Sequence, residues 1–324
     1  MAAQNNAPLP DGLEIAGYRI VKKIASGGFS IVYLAYDGEG NAVAIKEYLP
    51  SALALRQPGE LIPLVSKPNL PIFRIGLKCF FEEGRALARI VHPNVVRVVN
   101  FFRANETVYM VMAYESGHTL QDHIARVAGR GSRLGEQFVR QVFNGVCGGL
   151  REVHANKLLH LDLKPANIYL RLDGSPLLLD FGAARQTINI DAPMLAPMYT
   201  PGFAAPELGA RGAALGPWTD IYSIGAAMFA CMACVTPQAV DARRQEDKLP
   251  AQLDALEARY SRELVTMVRS CLALDPLARP QSVFAIQKVL QAAPAAPLPE
   301  PEPVEEERAS GWRGLAGRFG LGRK

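Results

Sequence analysis

The chain carries the stretch His160-Leu161-Asp162-Leu163-Lys164-Pro165-Ala166-Asn167, which places an acid, a base and an amide within six residues of a loop. It runs directly into the strand-like Ile168-Tyr169-Leu170. Asp180-Phe181-Gly182 follows after a short hairpin, RLDGSPLLL. Two carboxylates and one amide held by adjacent loops can coordinate magnesium and leave one carboxylate for an acceptor hydroxyl. Phosphoryl transfer needs little more than held phosphates, metal ions to neutralise them and an oriented hydroxyl. A polar turn would account for the first fragment alone, but not for the second at this spacing.

Two weaker fragments lie upstream. Ala25-Ser26-Gly27-Gly28-Phe29-Ser30-Ile31-Val32 is a turn of small residues between strands, where backbone N–H groups can approach anionic oxygens. Taken alone, a tight hairpin with no ligand reads equally well. Val43-Ala44-Ile45-Lys46 ends an apolar strand on a lysine, which either stays near the sheet interior or snorkels to solvent. A carboxylate on the following helix would fix it, and Glu82 and Glu83 are both available.

These groups need elements to position them. Residues 1–17 read as a loose leader. YRIVKKI, SIVYLAY and NAVAIKEYL read as strands. From Pro50 to about Gly76, five prolines predict an irregular stretch, and LKCFFEEGRALARI (77–90) has helical periodicity. VVRVVNFF and TVYMVMAY give two more strands. Beyond Gly117 the pattern is mostly helical, as in FVRQVFNGVCGGLREVHA and DIYSIGAAMFACMACV. An α+β fold of two unequal lobes follows, a sheet with one key helix and a larger helical part, with a cleft between them. The predicted boundaries are a small lobe at 18–114, a large lobe at 115–291, a Pro/Glu-rich linker at 292–310 and a basic, glycine-rich tail at 311–324.

Composition sets limits. The hydrophobic fraction of 49% and charged fraction of 20% over 324 residues suit a globular protein with a sizeable core. A net charge of +4 is too small to argue for nucleic acid or acidic membranes, and no nucleic-acid partner is expected. Five scattered cysteines suit a reducing compartment, and the lone Cys231-x-x-Cys234 pair lacks further metal ligands. No signal peptide is read. The apolar run from Ile221 falls short of the roughly 20 residues a membrane span needs, so the expectation is a cytoplasmic protein without a transmembrane segment.

The joint pattern V-A-I-K, H-x-D-L-K-P-x-N, D-F-G and Ala205-Pro206-Glu207, in this order, resembles the signature set of protein kinases. It covers roughly Tyr18 to Leu290. AIKEYLPSALALR, NIYLRLDGSPLLLDFGAARQ and LALDPLARPQS are similar to the bacterial eukaryotic-like serine/threonine kinases. The resemblance implies the bilobal kinase fold and transfer of the γ-phosphoryl of ATP to serine or threonine hydroxyls of protein substrates. Magnesium, or manganese in its place, would be the metal.

The resemblance also assigns roles. Lys46 would contact the α- and β-phosphates and pair with Glu83, which stands nine residues before His92 as the family spacing requires. Asp162 would orient the acceptor hydroxyl, Lys164 would steady the γ-phosphoryl, and Thr200 would position both. Asn167 and Asp180 would bind magnesium. Ala25, Gly27, Gly28 and Val32 would lie over the nucleotide. Ala44, Met112 and Tyr169 would line the adenine pocket, with Met112 as gatekeeper and Ala113, Tyr114 and Glu115 as hinge. Glu207 would pair with Arg279, and Asp220 would hold the catalytic-loop backbone. Leu87, Val98, His160 and Phe181 would form an apolar column joining the lobes.

The chain departs from the family pattern in several places. Ala25 and Ser30 replace two loop glycines, which implies looser nucleotide binding. Leu161 stands where arginine is commonest and cannot pair with a phosphate at Thr187 or Thr200, so activity without activation-segment phosphorylation is expected. Ala113 replaces the usual hinge glutamate, with little consequence because the adenine contact there uses the backbone. Lys46 and Glu83 are 37 residues apart, and the stretch 50–76 fills the gap either as a covering loop or as a docking element. Trp312, Leu315 and Phe319 with four basic residues make 311–324 a candidate contact for a partner or a membrane surface; five glycines favour a plain basic tail. The rival functional readings are a pseudokinase acting as a nucleotide-binding scaffold and a small-molecule phosphotransferase.

Overall fold

The structure is a computed structural model that describes residues 6–181, 199–210 and 212–292. Gly182, Thr187, most of the linker and the whole of 311–324 lie outside the described residues.

The small lobe begins with β1 (Glu14–Ile15), β2 (Tyr18–Ser26), β3 (Ser30–Tyr36) and β4 (Ala42–Tyr48). Asp37 makes the turn before β4 by accepting backbone N–H bonds from Glu39 and Asn41, the local capping that Asp offers a turn. Next come β5 (Ala54–Leu55), β6 (Leu64–Val65), α1 (Leu70–Leu87), β7 (Val98–Ala104) and β8 (Thr107–Ala113). The main sheet has the order β1-β2-β3-β4-β8-β7, with every pair antiparallel. β5 and β6 form a separate two-stranded ladder.

Two expectations are corrected here. Residues 6–17 are not a loose leader. Leu9 is buried, its N–H donates to the Tyr33 hydroxyl at 3.1 Å, and β1 pairs with β2. Apolar Leu9 and Ile15 find cover against the sheet, which composition alone does not reveal. The helix also starts at Leu70, not Leu77, because Pro71 falls in its first turn, where its missing N–H has no intrahelical acceptor to lose. The buried face of α1 carries Phe73, Gly76, Phe80, Glu83, Gly84 and Leu87. Tyr48, at the end of β4, packs its ring against Phe73 and Phe80 at centroid distances of 5.4 and 5.6 Å. The end of the lysine strand is therefore welded to the helix that carries Glu83.

The large lobe opens with β9 (Gly117–Thr119), α2 (Leu120–Gly129) and α3 (Glu136–Ala155). Thr119 caps α2 by accepting from the Asp122 N–H at 3.1 Å. β10 (Ile168–Arg171) and β11 (Pro176–Leu178) complete a three-stranded sheet with the order β11-β10-β9. A side chain at Gly117 would meet the Leu170 carbonyl oxygen at 2.0 Å, so only glycine lets β9 lie this close to β10. The remaining described helices are α4 (Pro217–Ala233), α5 (Val240–Gln245), α6 (Leu249–Leu256), α7 (Arg262–Cys271) and α8 (Val283–Gln291).

α4 is buried all round from Thr219 to Met232, which makes it the central helix of this lobe. Among the described residues no helix is long and apolar enough to cross a membrane. Cys231 lies buried in α4 with a free thiol, and no group of three metal-ligating side chains exists among the described residues.

Candidate active site

The loop 160–167 is shaped from below by Asp220, in the first turn of α4. Its carboxylate is fully buried and accepts from the backbone N–H of His160 at 2.9 Å, the N–H of Leu161 at 2.8 Å and the His154 ring at 2.8 Å. Burial pushes the Asp220 carboxyl up, but hydrogen bonds from the His154 ring and the His160 backbone N–H outweigh it and hold the group below the usual carboxylate range. The ionised acceptor keeps Leu161 at φ +61°, a left-handed conformation unusual for leucine. That bend turns Asp162 toward the cleft. His160 is fully buried and stacks on Phe181 with centroids 4.5 Å apart. Burial lowers its pKa, so the ring against Phe181 is neutral. Leu87 and Val98 are buried as well.

Lys164 Nζ donates to both Asp162 carboxylate oxygens at 3.0 Å and to Thr200 Oγ1 at 2.8 Å. Asn167, in the 3-10 turn Pro165–Asn167, donates from Nδ2 to Asp162 Oδ2 at 2.9 Å and to the Asp162 carbonyl at 2.8 Å. The β10–β11 hairpin then returns the chain, and the Leu179 N–H bonds the Asn167 carbonyl at 2.9 Å. This places Asp180 beside Asn167, whose amide also reaches the Asp180 carbonyl at 3.5 Å.

Asp180 takes φ +50° and receives Lys46 Nζ on Oδ1 at 2.8 Å. The strand lysine of β4 and the second carboxylate loop thus meet across the cleft. Lys46 and Asp180 form an ion pair. Glu83 is placed on the buried face of α1, at 8% exposure. The left-handed turn at Asp180 aims its carboxylate at β4, a backbone choice that residue spacing does not encode.

Beside these groups lies a cavity of about 330 Å³. Its walls include the expected Ala25, Val32, Ala44, Met112, Tyr114 and Tyr169, together with Asp180. Ile24, Val96, Thr119, Ala166, Leu177 and Leu179 also line it and were not anticipated. For Ile24 and Leu179 the available signal was position, directly before Ala25 and Asp180. Gly27 and Gly28 do not line this cavity; they are exposed at the β2–β3 turn. Neither has a positive φ, and an added Cβ at either would meet nothing within 4 Å. The protein's own packing does not demand glycine there, so the bare backbone leaves room for phosphate oxygens.

Residues 18–292 match the family described as protein kinase domain. The chain belongs to that family. The chain is 29% identical over 311 residues to the serine/threonine-protein kinase PknD of Chlamydia abortus, covering 86% of this chain and 31% of that protein. It is 26% identical over 288 residues to serine/threonine-protein kinase B of Synechocystis, covering 85% and 46%. The chain thus spans about a third to a half of the length of these curated relatives. Among solved structures, PpkA-294 in its apo form is 33% identical with a TM-score of 0.79, covering 88% of this chain and 99% of that one. The PknI kinase domain of Mycobacterium tuberculosis shares the fold at TM-score 0.64.

The kinase domain also forms the buried Glu207–Arg279 pair, bidentate at 2.7 and 3.0 Å. Arg279 further caps the Trp218, Ala273 and Leu274 carbonyls and lies over the Tyr222 ring. It ties the segment before α4 to the chain between α7 and α8.

Proposed function

We propose that this chain is a serine/threonine protein kinase that moves the γ-phosphoryl of ATP to a hydroxyl of a protein substrate. The observation that carries the proposal is the contact set around Lys164, whose ammonium bridges Asp162 and Thr200 beside Asn167. Asp162 is an oriented acceptor for a hydroxyl proton. Lys164 neutralises negative charge next to it, and the Thr200 hydroxyl fixes the lysine. Magnesium-bound ATP supplies the transferable group, and Asn167 and Asp180 would hold the metal. Lys46 would meet the α- and β-phosphates, with Glu83 on α1 behind it. The adenine would occupy the cavity between Ala44, Met112 and Tyr169, against the backbone of Ala113 to Glu115. Oxygen-rich ligands without a dedicated protein cage suit magnesium, which is bound through one or two protein oxygens and substrate phosphates.

The proposal includes activity without activation-segment phosphorylation. Leu161 offers no cation to a phosphate, and its backbone is already held by Asp220. Thr187, the residue most exposed to this question, lies outside the described residues. Five free cysteines suit the reducing cytoplasm, where ATP is abundant. Residues 311–324 remain a proposed contact for a partner or a membrane surface.

Transfer of labelled phosphate from ATP to a serine- or threonine-containing protein, compared between the wild type and Asp162→Asn, tests the main reading. Incorporation by the wild type that the variant lacks is expected. A wild-type chain that binds magnesium–ATP without transferring label would overturn it in favour of a scaffold.

A further inference from the structure

We propose that Arg56 is a positioning residue of the nucleotide site, acting through Glu47 to set the glycine-containing turn and Lys46 in place. This rests on the kinase reading of the cleft.

Glu47 directly follows Lys46 in β4, so its side chain leaves the opposite face of the sheet. An antiparallel sheet often shows that second face to water, yet here Glu47 is fully buried. Four donors surround its carboxylate. Arg56 Nη1 and Nη2 reach Oε1 and Oε2 at 2.5 and 2.7 Å, the Tyr33 hydroxyl reaches Oε2 at 2.7 Å, and the Tyr109 hydroxyl reaches Oε1 at 2.8 Å. The Arg56 side chain is likewise fully buried. Its Nε donates to the Ala7 carbonyl at 2.9 Å and its backbone N–H to Asn6 Oδ1 at 2.6 Å, which seals the first described residues over the pair.

The chain between the two charges touches both nucleotide-side elements. The Leu49 N–H donates to the Phe29 carbonyl at 2.8 Å, and the Ser51 N–H donates to the Gly28 carbonyl at 2.9 Å. The turn over the phosphates is thereby tied to residues 49–51. On the other side, Tyr48 packs on Phe73 and Phe80, and Asn69 Nδ2 bonds the Leu53 carbonyl at 3.3 Å. The Glu47–Arg56 bridge closes residues 47–56 into a loop of fixed shape between the turn and α1. A buried ion pair stabilises a fold no better than a well-packed apolar pair. The bidentate fork does supply a single register and orientation.

The test is the double variant Glu47→Gln/Arg56→Met in the full chain, which leaves no lone buried charge. Hydrogen exchange of the Leu49 and Ser51 amides is expected to rise about tenfold or more, while amides of α3 and α4 keep wild-type protection. KM for ATP is expected to rise about tenfold with kcat changed less than about threefold. A folded double variant with wild-type exchange at Leu49 and Ser51 and an unchanged KM would overturn the proposal. Arg56→Lys keeps the charge without the fork and gives a second reading if the double variant does not fold. An increase of about threefold in KM supports the clamp, and none refutes it. The exchange measurement reads the clamp without phosphoryl transfer, so a wild type that transfers no phosphate would sink the kinase reading separately.

Discussion

Lys46 Nζ and Asp180 Oδ1 stand 2.8 Å apart although 134 residues separate them in the chain. The pair joins the central strand of the small lobe to the loop that follows the β10–β11 hairpin. Lys46 is 5% exposed, so its ammonium is held in the cleft and not in solvent. Lys46→Met should therefore abolish the rise in melting temperature expected with magnesium–ATP and lower transfer by about a hundredfold or more. Thermal shift with and without nucleotide, alongside labelled-phosphate transfer, measures both.

Thr200 is predicted to act through Lys164. Removing a hydrogen bond to a charged group costs about 1.5–3 kcal/mol, which corresponds to about a tenfold or greater loss in kcat for Thr200→Ala. Thr200→Ser keeps the hydroxyl and should recover most of the activity. KM for ATP should stay near the wild-type value in both. A Thr200→Ser variant as slow as Thr200→Ala would show that the methyl group, not the hydroxyl, matters.

The Glu207–Arg279 bridge has side-chain exposures of 5% and 0%. Breaking such a pair from one side leaves an uncompensated buried charge, at about 3–5 kcal/mol. Arg279→Met should lower the urea midpoint accordingly. Glu207→Gln, which leaves Arg279 its carbonyl acceptors, should lower it less.

The neutral His160 makes stability depend on pH. Its pKa is lowered in the fold from the ordinary 6.5, so as pH falls below about 6.5 the unfolded chain takes up a proton that the folded chain refuses. Stability is full above that value and is lost as pH falls toward the depressed folded value. Asp220, also depressed but from 3.8, adds a separate loss only in stronger acid. Melting temperatures between about pH 7.5 and 5 should fall for the wild type and fall less for His160→Phe, which keeps an aromatic ring on Phe181. Equal slopes would remove His160 as the cause.

Thr187→Ala is predicted to keep transfer within about threefold of wild type, because Leu161 supplies no cation for a phosphate there. Loss of activity in a folded Thr187→Ala variant that still binds ATP would show that phosphorylation is required.

Much of this site was readable because its signals are local. Asp162, Lys164 and Asn167 lie within one loop, and Asp180 follows after one short hairpin, so their types and spacing already imply a shared centre. Ala44 and Met112 came from the family resemblance, and the structure pairs them directly across β4 and β8. The start of α1 was missed because proline usually ends a helix, and nothing local says whether Pro71 stands inside one or in its first turn. The leader was misread for a similar reason. Leu9 is one apolar residue among polar ones, and only the sheet beneath it gives it a place to be buried.

The order of the candidate site groups and the sheet-then-helix division follow from short-range patterns written along the chain. Which charges meet does not. Lys46 met Asp180, and Glu47 was matched to Arg56 beneath the first described residues, only once the chain had folded. A buried ion pair depends on distance, direction and the loss of water around both partners, and none of these is a function of separation in sequence.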